Sequence, residues 1–293
     1  MSDKCVQPNE TCSTCGVSNC AVRGSNSGAA KIKKKIPQVS SHIGKIIGVL
    51  SGKGGVGKSF VTASLAVDLA KKGYKVGIMD ADVTGPSIPR LFSINEFAYG
   101  DEEGMYPCLS QKYEIKIMSV NLMLESEDTP VLWRGPIVGG VVDQFYTETY
   151  WGDLDYLLID MPPGTSDVAL SVLQDLPLDG IVMVSTPSKL VSMVVSKAIV
   201  MSIKQNVPII GLVDNMSYVK CPDCGKEIKL YQEDATLDLS LRYDLPVLAM
   251  LPIDSKLSTM SDEGLMEDYD ESYLLRLVER IEELEKREVE DAD

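Results

Sequence analysis

Gly52-Lys53-Gly54-Gly55-Val56-Gly57-Lys58-Ser59 satisfies G-x-x-x-x-G-K-[ST] at every fixed position. A loop of this kind works only between a buried strand and the start of a helix, so it constrains the fold around it. Its glycines let backbone N–H groups turn inward around phosphates, and the helix after the loop adds its positive end. Lys58 is placed to reach β and γ oxygens, and the Ser59 hydroxyl is a ligand for Mg²⁺. The flanks agree. Lys45-Ile46-Ile47-Gly48-Val49-Leu50 reads as a buried strand, and Phe60 to Lys72 carries an apolar helical period. A glycine-rich turn without function would need neither flank.

The same alternation continues along the chain. Lys75–Met79, Ile115–Val120, Tyr156–Ile159, Ile181–Val184, Ile209–Val213 and Val247–Leu251 read as short, continuously apolar strands. Ile137–Thr149, Val168–Leu176, Lys189–Lys204 and Leu237–Tyr243 read as helices between them. Strands of that kind spaced by helices predict a doubly wound α/β domain with a mostly parallel sheet, covered on both faces. We place it at residues 42–260. Residues 1–41 show no apolar period and are expected to form a flexible, cysteine-rich arm with a basic linker. Residues 261–293 are expected to form an acidic C-terminal helix and tail, with Leu274, Leu277, Val278, Ile281 and Leu284 turned to one side.

Charge narrows the function. The formal net charge is −15. Asp262 to Asp293 holds 14 acidic against 4 basic residues, whereas Lys31, Lys33, Lys34, Lys35 and Lys45 form a basic run without acids. An acidic surface does not attract the phosphates of nucleic acid or an anionic membrane, so neither is expected as a partner. The basic run is expected to be a solvated linker. No stretch of 18 uninterrupted apolar residues occurs and no apolar leader opens the chain, so a cytoplasmic protein is expected.

Two acidic positions fall where phosphate chemistry needs them. Asp80-Ala81-Asp82 and Asp160 end apolar strands, and strand-terminal carboxylates in P-loop NTPases hold the Mg²⁺ shell or orient the attacking water. Asp160 suits the first role and Asp82 the second. Six of the seven cysteines are grouped, as Cys5, Cys12, Cys15 and Cys20 and as Cys221 and Cys224. Without an export signal, such spacing points to metal or redox chemistry before disulfides. Cys221 and Cys224 supply two thiolates where Zn²⁺ or a [4Fe–4S] cluster takes four, and a two-fold axis between identical chains would supply the others. Zinc remains the alternative cargo of a Cys-Pro-x-Cys-Gly turn. The C-x6-C-x2-C-x4-C set of the arm could hold a second cluster or zinc on one chain. Cys108 stands alone and reads as an apolar filler; Phe97, Trp133 and Trp151 read as core or interface packing.

Lys53, directly after the first glycine, resembles the deviant Walker A group of P-loop ATPases. The blocks Asp80-Ala-Asp-Val-Thr-Gly-Pro-Ser-Ile-Pro89, Trp133-Arg-Gly-Pro136, Trp151-Gly-Asp-Leu-Asp-Tyr156, Asp160-Met-Pro-Pro-Gly-Thr-Ser-Asp167, Asn215-Met-Ser-Tyr218 and Cys221-Pro-Asp-Cys-Gly225 are similar to those of the Mrp/Nbp35 iron–sulfur cluster carriers. The resemblance spans about residues 43–254 and implies a cytosolic homodimer. Such a dimer binds ATP and Mg²⁺, hydrolyses ATP slowly, and passes a [4Fe–4S] cluster to apo-proteins alongside cluster assembly factors. It implies ATP contacts from Gly52, Lys53, Gly54, Gly55, Val56, Gly57, Lys58 and Ser59. It further implies that Lys53 acts across the dimer with Lys58 and Asp82 in catalysis, that Ser59, Asp82 and Asp160 serve magnesium, and that Asn215 reads adenine. Longer members carry an N-terminal four-cysteine site whose gaps differ from those here. A partition-type ATPase would share Lys53 but give no use for the grouped cysteines. An ATP-driven electron donor like the nitrogenase iron protein has its ligand cysteines far apart in sequence.

Overall fold

The central strands are apolar over the stretches that are buried on both faces. Val76–Asp80 and Gly180–Ser185 are buried at every position. The computed structural model describes residues 34–37, 40–83, 85–124, 135–231, 234–271 and 273–286. The cysteines at 5, 12, 15 and 20, and Trp133 with Arg134, lie outside them.

In chain order the elements begin with β1 (Ser41–Ser51), α1 (Lys58–Lys71), β2 (Val76–Asp80), α2 (Ile88–Leu91), β3 (Tyr99–Gly100), β4 (Met105–Tyr106), β5 (Cys108–Leu109) and β6 (Lys116–Met118). Next come α3 (Gly135–Thr147), β7 (Gly152–Asp160), α4 (Asp167–Asp175), β8 (Gly180–Ser185), α5 (Lys189–Lys204) and β9 (Ile209–Lys220). The chain continues through β10 (Glu227–Ile228), α6 (Ala235–Tyr243), β11 (Val247–Ile253), α7 (Ser255–Glu263) and α8 (Leu275–Glu282). Among the described residues nine strands form one sheet in the order β10-β9-β8-β1-β7-β2-β6-β5, with β11 also paired to β9. Within this sheet, among the described residues, only the short β5 and β10 run antiparallel to their neighbours. The fold is the expected doubly wound α/β architecture. Ser51, Asp80, Asp160 and Ser185 therefore end β1, β2, β7 and β8 on one edge, where ligands of open α/β sheets bind.

Alternation along β1 divides the core. Ile47 and Val49 face a layer shared with α1 and α8, through residues such as Leu65, Leu69, Leu277 and Ile281. Ile46 and Leu50 face the opposite layer with α3, α4 and α5, through residues such as Val142, Leu173 and Ile199. The C-terminal helix thus shares the core of the strands, and Leu274, Leu277, Val278 and Ile281 are fully buried. Trp151 is buried, its indole N–H donating to the Phe145 carbonyl at 3.1 Å, and Cys108 is buried as expected. Phe97 is 66% exposed and belongs to no core.

Two expectations are corrected. The lysine run is not wholly a solvated linker. Lys34 Nζ donates to the carbonyls of Leu173 and Gln174 at 2.8 and 2.6 Å, and Lys35 pairs with Asp143. Lys45 Nζ donates to the carbonyls of Ile281 and Glu282 at 3.0 and 2.9 Å. Cations thereby meet the negative ends of α4 and α8, where helix carbonyls run short of i+4 partners. The second correction concerns β9, which continues past Val213 to Lys220. Its first half pairs with β8 and its last residues pair with β10, so it extends beyond Ser185 on the carboxyl edge. Among the described residues no helix is long and apolar enough to cross a membrane.

Candidate functional site

Gly55 and Gly57 sit at φ 80°, in the left-handed region that lets successive N–H groups face inward. The close approach is tightest at Gly57, where a Cβ would lie 2.2 Å from Asn215 Nδ2. Lys58 and Ser59 open α1, and Thr62 comes one turn later on the same face. All three converge on the carboxylate that ends β7. Lys58 Nζ lies 2.6 Å from Asp160 Oδ2, Ser59 Oγ donates to the same oxygen at 2.6 Å, and Thr62 Oγ1 donates to Oδ1 at 2.8 Å. Asp82 Oδ2 stands 3.7 Å from Lys58 Nζ. Burial alone would lower the Lys58 pKa, but Asp160 and then Asp82 outweigh it and the net direction is upward, so Lys58 is a fixed cation.

Asp80 is fully buried and serves a different purpose from Asp82. Its carboxylate accepts from the backbone N–H groups of Asp82, Ser87 and Ile88 and from Ser119 Oγ, at 3.1 to 3.3 Å. Burial first, then Asp160, pushes its pKa up to about 7. Asp80 therefore braces the loop that carries Asp82. The loop after Asp160 is tied to the same place, with Gly164 N–H donating to the Ser51 carbonyl at 2.7 Å. Lys53, Gly54, Lys58, Ser59, Asp82 and Ser87 line part of a cavity of about 490 Å³, a size typical of small-molecule sites. The Lys53 side chain is exposed at its rim, with no ion pair among the described residues.

Asn215 lies across this loop. It is buried, its Nδ2 donates to the Val56 carbonyl at 2.8 Å, and its Oδ1 accepts from Met216 N–H at 3.0 Å. Past it, β9 and β10 form a hairpin with Cys221 and Cys224 in the turn. Cys221 N–H donates to the Lys226 carbonyl and Gly225 N–H to the Cys221 carbonyl, both at 2.9 Å, with Gly225 at φ 71°. Backbone N–H groups of Cys224 and then Asp223 hold the Cys221 thiol below its ordinary pKa, so the thiolate that a metal requires is favoured. Among the described residues no third His, Cys, Asp or Glu joins the pair.

The structure thus brings together Lys58, Ser59, Asp82 and Asp160, and sets Cys221 and Cys224 on an extension of the same sheet edge. Sequence reasoning missed Thr62 as an Asp160 partner and Asp80 as a brace. The i, i+3 and i+4 spacing of Thr62 from Ser59 and Lys58 was the available signal.

A family model described as ParA: NUBPL iron-transfer P-loop NTPase matches residues 42–284. The chain belongs to this family. Among the chain's relatives, the iron-sulfur cluster carrier protein of Clostridium perfringens is 44% identical over 268 residues, spanning 88% of this chain and 94% of its own. That of Methanocaldococcus jannaschii is 41% identical over 233 residues, with 79% and 80% covered. A nucleotide-binding protein from Archaeoglobus fulgidus, solved in complex with ADP, superposes with a TM-score of 0.71 at 44% identity, covering 79% of this chain and 90% of that one. The cell division ATPase MinD of Pyrococcus furiosus shares the fold, with a TM-score of 0.58 at 22% identity over 83% of this chain and all of its own.

Proposed function

We propose that the chain is an ATP-dependent, homodimeric carrier that binds a [4Fe–4S] cluster and hands it to apo-proteins. The observation that carries this reading is a half-complete thiolate site placed on the sheet edge that bears the phosphate loop. Two cysteines with no third ligand among the described residues cannot satisfy a four-thiolate cargo, and an isologous pairing of two hairpins would. In this reading the cluster is cargo, shared at a junction that separates when it is delivered. The cysteines must stay reduced, which suits the cytoplasm.

The chemistry of the loop supports the ATPase half. Backbone N–H groups of Gly54 to Ser59 would take the triphosphate, with Lys58 on its terminal oxygens. Ser59, Asp82 and Asp160 are hard oxygen donors suited to Mg²⁺, which when bound supplies positive charge to the phosphate oxygens. A phosphate claiming Lys58 and Ser59 competes directly with Asp160, so binding acts on the end of β7 and on the loop behind it. Asp82 would orient the attacking water. Exposed Lys53 would cross to the partner's nucleotide, and Asn215 would contact adenine. The arm cysteines would form a second, single-chain site.

The test is anaerobic reconstitution of the parent and of Cys221→Ala/Cys224→Ala, followed by transfer of iron and sulfide to an apo-acceptor. Transfer is expected to fall at least about tenfold in the variant, as losing all four thiolates of the shared site requires. Transfer equal to the parent's would remove the hairpin from the mechanism.

A further inference from the structure

Between the phosphate loop and the cysteine hairpin, β9 is irregular in a way that the carrier reading does not use. Along β11 the pairing advances from Met250 to Pro252, while along β9 it advances from Asp214 to Tyr218. Two residues of β11 are thus matched by four of β9, and the excess is held at Asn215, Met216 and Ser217. Met216 has φ 57°, a left-handed conformation that a residue with an unbranched side chain tolerates only at a cost. Bulges concentrate local twist and re-aim the strand beyond them.

Each residue of this bulge is anchored differently. Asn215 faces the phosphate loop, through its bond to the Val56 carbonyl and its contact over Gly57. The Met216 methyl also lies over Gly57, 3.9 Å from where a Cβ would stand. Ser217 faces away, its Oγ donating to the Leu251 carbonyl at 3.1 Å. Beyond it, Val219 is paired on both sides, to Ile228 of β10 and Ile253 of β11. From there to Cys221 the chain is a short braced strand, so a rotation at the bulge is carried to the thiols rather than absorbed.

We propose that the Asn215–Ser217 bulge is the element through which occupancy of the phosphate loop sets the placement of the Cys221/Cys224 hairpin. Met216 is a positioning residue in this scheme and touches no reacting atom. The loop is sensed at Val56 and Gly57, the strained backbone offers a second arrangement, and the hairpin reports it. The inference rests on the carrier reading for its purpose, but its test needs no cluster.

The full-length protein is kept reduced and metal-free, with and without magnesium and a non-hydrolysable ATP analogue. Alkylation rates of Cys221 and Cys224 by iodoacetamide are then read by peptide mass mapping. In the parent, the analogue is expected to change the hairpin rates about fivefold, the low end of ordinary allosteric coupling. Met216→Gly removes the strain and softens the turn. It is expected to bind the analogue within about twofold of the parent, as a substitution outside the binding contacts should. Its hairpin rates are expected to become indifferent to the analogue. Met216→Asn, whose side chain tolerates the left-handed region, is expected to keep the parent's response. Ser217→Ala frees the bulge from β11 and is expected to weaken the response at least about twofold, deciding the matter should Met216→Gly not fold.

A parent without a nucleotide response, or a Met216→Gly protein that retains it in full, overturns the proposal. Failure of cluster transfer with the alkylation response intact counts against the carrier reading alone.

Discussion

Asp214 is a carboxylate that its surroundings solvate on one side only. It is 1% exposed; Thr236 Oγ1 donates to Oδ1 at 2.6 Å, while Oδ2 has no partner among the described residues. Burial pushes its pKa up to about 7, against a smaller downward pull from Thr236. A carboxyl raised in the folded state favours the protonated form, so its contribution to stability is full below the unfolded value and is lost as pH rises toward 7. The loss from this group between about pH 5 and pH 8 is on the order of 3 kcal/mol. Asp214→Asn is expected to lose correspondingly less stability than the parent over that interval in urea denaturation. Equal losses would mean that Asp214 is solvated in solution. The residue scale also marks what could be read from the sequence. Gly52, Lys58 and Ser59 are legible because phosphate binding fixes their type and spacing together. Thr62, Asp80 and Asp214 are not, because depth and direction decide their roles and a one-letter code carries neither.

The final helix shows how far a periodic pattern reaches. Leu274, Leu277, Val278, Ile281 and Leu284 mark one face in the sequence, and the first four are fully buried against the layer that holds α1. Leu277→Ala is expected to cost about 2–5 kcal/mol, the range for a truncated core leucine. Leu275→Ala, at a side chain 50% exposed, is expected to stay within about 0.5 kcal/mol. Guanidinium denaturation of both variants checks this, and a cost below about 1 kcal/mol at Leu277 would mean that α8 is not docked. Other elements resisted reading for identifiable reasons. The end of β9 was obscured because Asp214 and Asn215 interrupt its apolar run, and the continuation depends on β10 and β11, which come later in the chain. The lysine run looked solvated because the carbonyls that receive Lys34 and Lys45 are more than a hundred residues away. A helix announces its face locally, whereas a cap is known only once its distant acceptor is in place.

For the whole molecule, the decisive quantity is how many chains complete one thiolate site. A chain of net charge −15 pays electrostatic self-repulsion on pairing, a cost that salt screens, so the proposed dimer would have to be held by something local and strong. Four thiolates around one cluster would provide it, with nucleotide in each phosphate loop and the exposed Lys53 reaching across. The arm cysteines confuse the count, so they are removed first by changing Cys5, Cys12, Cys15 and Cys20 to Ala. That protein, reconstituted anaerobically, is expected to contain about two iron atoms per chain and to sediment at twice the chain mass. Adding Cys224→Ala should abolish both the iron and the cluster-dependent share of the dimer. Its mass then falls toward that of one chain, and more steeply at low salt, where repulsion is least screened. About four iron atoms per chain at the mass of a monomer would assign the whole cluster to one chain, and the shared site would be wrong.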